Sequence, residues 1–219
     1  IRDKLVTGVQ TCALPISRLH RGDGRIVGIV NLFERMSFDL GPTLAHWMAG
    51  EASTVLQRIV AGDRVGRTAL AHPYHHVILP LAAPEDALTE MRWGMADFAH
   101  RFGRPAEGMW LPETAIDART LHHLDLLGLG FTVVAPNQVA KVPPPGRHGR
   151  VGAAGPVLVV YDGPASHDLA FGAALTSADV LADRMMAVAD GGLVVAATDL
   201  ETFGHHHRFS ERAVGHALF

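Results

Sequence analysis

The chain has 219 residues, 48% of them hydrophobic and 19% charged, with a formal net charge of -3. That length supports one to two domains with a core that needs no staples, and the near-balanced charge gives no compositional support for binding nucleic acid or an anionic membrane. The single cysteine, Cys12, excludes an intramolecular disulfide framework and a four-cysteine zinc site, and no run of ~18 apolar residues exists to form a transmembrane helix. Histidine is plentiful, at 14 residues.

Residues 1–16 (IRDKLVTGVQTCALPI) have neither helical period nor strand alternation. Thr7, Gln10 and Thr11 interrupt the apolar stretch that a signal peptide requires. The segment resembles a translated sequencing adaptor, there is no starting methionine, and it is set aside from the fold. Arg25–Leu32 is apolar and reads as strand or helix. Met36–Leu40 alternates as a short strand. Pro42 opens a helix running to about Ala61, since its missing N–H costs nothing in a first turn. Val77–Leu81 (VILPL) reads as a strand covered on both faces. Pro84 opens a second helix to Phe102, with Glu85 and Asp86 in its first turn and Met91, Met95, Phe98 and Phe102 on its apolar stripe.

A short strand at Gly108–Leu111 leads into Pro112-Glu113. Asp117 is the expected N-cap of a helix over 118–127, which Gly128 and Gly130 end. Phe131–Ala135 is the next strand, 136–156 a proline- and glycine-rich loop, and Val157–Tyr161 another strand. Ser177 caps a helix through Ala189, Gly191-Gly192 stop it, and Leu193–Thr198 reads as a last strand. The closing residues, RFSERAVGHALF, are helix-like. Alternation of strand and helix with apolar strands predicts a parallel α/β fold, in which working groups gather at the C-terminal ends of strands. Residues 17–219 are thus expected to be one partial domain cut at both ends.

Two carboxylates, Glu113 and Asp199, follow separate strands. Trp110 lies three residues before the first. Glycoside cleavage needs such a pair, one carboxyl to attack or to activate water and one to protonate the leaving oxygen. A carboxylate after a strand also serves as a helix cap or salt-bridge partner, and a lone tryptophan as core. His205-His206-His207 fit a metal poorly, because neighbours in an extended segment point to opposite faces. His72 and His76 have an H-x-x-x-H spacing that could bind metal. His122 and His123 are expected on the surface, and Asp39 stays open between a strand-end polar group and a loop cap.

In combination these blocks resemble glycoside hydrolase family 57. GMWLPETA is similar to the family's third motif, HHVILPLA to its second and ATDLETFGHHHRF to its fourth. The runs RIVGIVN…SFDLGPTL, HPYHH and YDGPASHDLAFG further resemble the family-57-like branch known as DUF3536. The resemblance spans about residues 22–219. It implies a parallel (β/α)7-type barrel, incomplete at both ends, and a retaining two-carboxylate mechanism on α-linked glucans or related oligosaccharides, by hydrolysis or transfer. By position it makes Glu113 the nucleophile and Asp199 the general acid/base, with His76, Trp110, His205, Glu201 and Tyr74 binding substrate. It implies no cofactor and no metal, and no partner beyond the carbohydrate and the missing parts of the barrel itself. Three departures stand out. The family's first motif, His-x-Gln-Pro, is absent, nothing follows Phe219, and Leu200 stands where the branch carries glycine. A metal-dependent carbohydrate deacetylase, with His72 and His76 as ligands beside an acidic residue from an earlier strand, is the alternative enzyme. A non-catalytic carbohydrate-binding homologue is the third reading. The single cysteine and the lack of an export signal give a cytoplasmic expectation.

Overall fold

The structure, a computed structural model, describes residues 16–143, 148–189 and 192–219, with only the backbone of residue 16. The expectations for residues 1–15, for Pro144, Pro145 and Gly146 of the loop and for Gly191 fall outside the described residues.

The chain opens with an antiparallel hairpin of β1 (Ile16–His20) and β2 (Ile26–Asn31). Its turn is closed by the Asp23 carboxylate accepting from Arg25 N–H at 3.0 Å. The ambiguous apolar run at 25–32 is therefore strand. Asn31 caps the following turn, accepting from Phe33 N–H, and donates to the Arg58 carbonyl at 2.9 Å.

The remaining strands build the parallel part of the fold. They are β3 (Phe38–Asp39), β4 (Ala69–Leu70), β5 (Gly108–Met109), β6 (Phe131–Val134) and β8 (Val157–Val160), with β7 (Gly149–Arg150) antiparallel on the edge of β8. β3 pairs with β4, and β5 with β6 and β6 with β8, all parallel. A parallel bridge between Ala71 and Met109 joins the first pair to the second set. Apart from the edge strand β7, neighbouring strands thus follow chain order and run the same way. They leave their C-terminal ends on one side. The described residues form small sheets rather than a closed barrel.

Helices α1 (Pro42–Glu51) and α2 (Ser53–Gly66) link β3 to β4, α3 (Pro84–Phe102) links β4 to β5, and α4 (Ala118–Leu126) links β5 to β6. The single helix expected over 42–61 is broken at Ala52 (φ -143°, ψ 41°). The weak helix formers Gly50 and Ser53 flank the break. Pro84 and an acidic first turn open α3 as the sequence predicts, and Gly103 at φ 69° closes it. Asp117 caps α4 through the Thr120 N–H at 2.7 Å. Farther on come α5 (Gly163–Phe171), α6 (Ala178–Ala189), for which Ser177 Oγ accepts from Val180 N–H, and α7 (Ser210–Leu218).

Two expected strands are not strands. Leu79–Leu81 is a 3-10 turn. Pro80 removes a ladder donor, and Arg119 takes up the Leu79 and Pro80 carbonyls at 3.2 and 3.0 Å. Leu193–Thr198 makes one backbone bond to its neighbour, from Asp162 N–H to the Val195 carbonyl. Its Ala197 N–H goes to Ser166 Oγ instead of a ladder. His123, expected on the surface, is buried beside Leu124 on the inner face of α4.

One core cluster joins Phe33, Phe38, Met48, Ile59, Met91, Phe98, Phe102, Met109, Leu111 and Leu124; a second joins Leu32, Leu169, Leu175, Leu181, Phe203 and Val214. Leu200 packs on both. β4 is pinned electrostatically. The buried Asp63 carboxylate accepts from Ala69 N–H at 2.8 Å and from Arg104 Nε and an Arg104 terminal nitrogen at 2.9 and 2.7 Å. Arg104 also donates to the Ala69 carbonyl.

Candidate active site

Four side chains meet where β3, β4 and β5 end. Asp39 is the last residue of β3, His72 and His76 follow β4, and Glu113 follows β5. Glu113 Oε1 lies 4.0 Å from His76 Nε2, His76 Nδ1 lies 3.0 Å from His72 Nε2, and that same His72 Nε2 lies 3.6 Å from Asp39 Oδ2. The two imidazoles stack, with centroids 4.9 Å apart and planes inclined by 19°. His72 is buried, whereas His76 and Glu113 are more than half exposed.

The backbone is strained there. Among the described residues five non-glycine residues take positive φ: Arg67, His76, Glu113, Thr114 and Phe209. Three belong to this site. Glu113 stands at φ 58°, ψ 17° inside the Pro112–Thr114 turn, and Thr114, a β-branched residue, follows at φ 52°. Each such residue costs on the order of 1–2 kcal/mol, and strain of this kind clusters at functional sites. The turn is anchored by buried Leu111 and Pro112 on one side and buried Thr114 on the other.

The HPYHH segment is held from α3. The Glu90 carbonyl accepts from Tyr74 N–H, and its carboxylate takes His75 N–H at 2.8 Å and His75 Nδ1 at 2.7 Å. Gly94 lets α3 touch the segment, since a Cβ there would lie 1.9 Å from the His72 carbonyl oxygen. Burial raises the Asp39 pKa above its ordinary value, and the Asp199 charge acts in the same direction, against the lowering effect of His72 and His76. Burial lowers the His72 pKa despite the opposing charge of Asp39.

The other expected site residues are distributed differently. Asp199 is exposed and precedes the Leu200–Thr202 turn, with no side-chain capping bond. Glu201 pairs with His206 at 3.4 Å, His205 packs edge-on against His206, and His207 Nε2 donates to the Ala170 carbonyl. The triple histidine thus divides among three environments. Tyr74 packs edge-on against His75 and Trp93, toward α3. Trp110 is half-buried, and its backbone N–H donates to the Ala71 carbonyl. Among the described residues no group of three or more His, Cys, Asp or Glu is arranged to hold a metal ion. Asp39 and His72 are the members that sequence reading did not assign to the site. The H-x-x-x-H spacing was the available signal for His72, and the β3–β4 pairing that delivers Asp39 had none.

The sequence model of glycosyl hydrolase family 57 matches residues 67–213, a span that includes His72, His76, Glu113 and Asp199. The chain belongs to glycosyl hydrolase family 57. Similar solved structures agree in fold. A 4-alpha-glucanotransferase from Thermococcus litoralis superposes with a TM-score of 0.66 at 16% identity, covering 83% of this chain and 30% of that one. The GH57-type branching enzyme from Pyrococcus horikoshii gives 0.64 at 14% identity, covering 80% and 46%. A putative polysaccharide deacetylase from Mycobacterium smegmatis gives 0.60 at 14% identity, covering 84% and 65%. The chain therefore spans less than half the length of the glucanotransferase and of the branching enzyme. No curated protein sequence matches it. Among the described residues no helix is long and apolar enough to cross a membrane.

Proposed function

We propose that the protein carrying this chain is a retaining glycoside hydrolase or transglycosidase acting on α-linked glucans or related oligosaccharides. Glu113 is its nucleophile and Asp199 its general acid/base. The observation that carries this reading is Glu113 itself. It is a carboxylate held in a strained left-handed turn at a strand end, exposed, with His76 facing it, within a family-57 chain. In the first step a Glu113 oxygen attacks the anomeric carbon while Asp199 gives its proton to the departing glycosidic oxygen. In the second, Asp199 takes a proton from water or from an acceptor hydroxyl, which displaces Glu113. Carbohydrate is the one partner this chemistry needs, and it requires no metal or other cofactor. The strands in chain order belong to a (β/α)7-type barrel completed by the rest of the protein, which sits in the family-57-like branch known as DUF3536 and works in the cytoplasm.

The test is turnover of amylose and maltooligosaccharides by the full-length protein. Glu113→Gln and Asp199→Asn should each abolish it, and the two carboxyl groups of the complete barrel should lie ~5–5.5 Å apart. A separation well beyond ~10 Å in a well-formed barrel, or full activity of either variant, sinks the assignment. Acetate release from an acetylated sugar without reducing-sugar release supports the deacetylase instead. Glucan affinity with no turnover supports the non-catalytic reading.

A further inference from the structure

His72 is enclosed on every side. Its side chain is 1% exposed, Gly41 abuts its ring, and its carbonyl rests against Gly94. Its Nδ1 lies 2.7 Å from the Pro73 carbonyl oxygen. A carbonyl only accepts, so Nδ1 carries the proton. Burial disfavours the charged ring, so His72 is neutral near pH 7 and its Nε2 presents a lone pair. His76 Nδ1, 3.0 Å away, must then be the donor. The one His76 nitrogen left to gain or lose a proton is Nε2, the atom facing Glu113 Oε1 at 4.0 Å. Asp39 Oδ2 faces the same His72 Nε2 from the other side at 3.6 Å. At that distance it makes no hydrogen bond, which leaves the lone pair to His76.

We propose that His72 is a positioning residue that fixes the tautomer of His76. The Pro73 carbonyl orients His72, and His72 orients His76. The proton His76 acquires therefore always lands on Nε2, opposite the nucleophilic carboxylate. Protonated there, His76 gives Glu113 an N–H to hold it ionised while its other oxygen attacks. The tautomer chain follows from the hydrogen bonds together with the neutral, buried His72 ring, whereas its catalytic consequence rests on Glu113 being the nucleophile.

The experiment separates the two. The full-length protein is labelled with 15N-histidine, and long-range 1H–15N spectra read each ring's tautomer, with His76 assigned by its loss in His76→Gln. The wild type should show His76 as the Nδ1–H tautomer. His72→Leu, which removes the acceptor, should move it to Nε2–H and lower kcat on amylose by about tenfold with KM changed by less than about twofold, the pattern of a lost transition-state interaction. His72→Gln, whose amide oxygen can replace the acceptor, should restore the Nδ1–H pattern and return kcat to within about threefold of wild type. A wild-type His76 in the Nε2–H form, an unchanged tautomer in His72→Leu, or equal kcat for the Leu and Gln variants overturns the inference. Should His72→Leu fail to fold, the wild-type and Gln spectra still decide it. Should no glucan be cleaved, the proposed function fails while the spectra still rule on the tautomer.

Discussion

The contact between α3 and the histidine segment gives a prediction in which two effects oppose each other. Gly94→Ala places a methyl group in a helix interior, where alanine is favoured over glycine by about 1 kcal/mol. The new Cβ, however, would lie 1.9 Å from the His72 carbonyl oxygen and 2.9 Å from its carbon. Even tight carbon–oxygen contacts need about 3.3 Å, so α3 and the segment must part by roughly 1.4 Å. Both obstructing atoms are backbone, and no rotamer change relieves them. Overpacking of this kind costs about 1–3 kcal/mol or more, which outweighs the propensity gain. Urea unfolding of the full-length protein should show a net loss of about 1–2 kcal/mol, and turnover should fall because His72 moves with its carbonyl. Gly50→Ala is the control. It lies in α1 with nothing within 4 Å of its would-be Cβ, and it should stabilise by about 0.5–1 kcal/mol. If Gly94→Ala stabilised as much as Gly50→Ala with turnover intact, the seating of His72 against α3 would be refuted.

Asp63→Asn should cost about 3–5 kcal/mol in chemical denaturation, since it takes from the largely buried Arg104 its nearest counter-charge and leaves it Glu107 at 4.0 Å. Burial opposes the Asp63 charge, but the hydrogen bonds from Arg104 and the Ala69 N–H, with the charges of Arg104 and Arg67, hold its pKa below the ordinary value. A carboxyl depressed in the folded state gives stability that is complete above its unfolded pKa of about 3.9 and lost as pH falls through the folded value. The wild-type Tm should therefore drop more steeply than that of Asp63→Asn below about pH 4. Glu90→Leu strands the buried end of the His75 contacts and should lower stability by about 1–3 kcal/mol together with turnover. Dialysis against a chelator should leave glucan turnover unchanged, and loss of activity restored by a divalent cation would favour the deacetylase reading.

Much of the scaffold is legible in the sequence because local signals agree there. α3 carries proline at its start, acidic residues in its first turn and a Met91–Phe98–Phe102 stripe, and it forms over the residues those signals mark. Val77–Leu81 misleads because an apolar run bounded by turns has the same composition whether it pairs as a strand or folds back. Here the competing partner is Arg119, 39 and 40 residues downstream of the carbonyls it binds. Leu193–Thr198 misleads for the same reason, its Ala197 amide being taken by a serine 31 residues away. His123 was misplaced because adjacent histidines on a helix point about 100° apart, so only one of the pair faces outward.

The site divides along a similar line. His76 and Glu113 are visible in short motifs because their neighbours in sequence carry the pattern. The meeting of Asp39 with His72 is not, since their contact exists only once β3 has paired with β4 across 29 intervening residues, a pairing of two residues on each strand. The left-handed backbone of His76, Glu113 and Thr114 is invisible for a different reason. Positive φ is uncommon outside glycine; histidine takes it more readily than most residues, but glutamate has no such preference and threonine resists it. A sequence whose local preferences agreed everywhere would have placed glycine or asparagine at 113 or 114. That it holds a carboxylate and a β-branched residue there means the surrounding packing, through buried Leu111 and Pro112, imposes the turn on them. The point where local preference is overruled is also the point where an acid stands exposed before an imidazole. Glu113→Gly tests whether that turn stores strain. It should raise stability by about 1 kcal/mol while abolishing turnover, because glycine adopts φ 58° freely. A loss of stability would mean that the carboxylate, and not the packing beneath it, holds the turn in place.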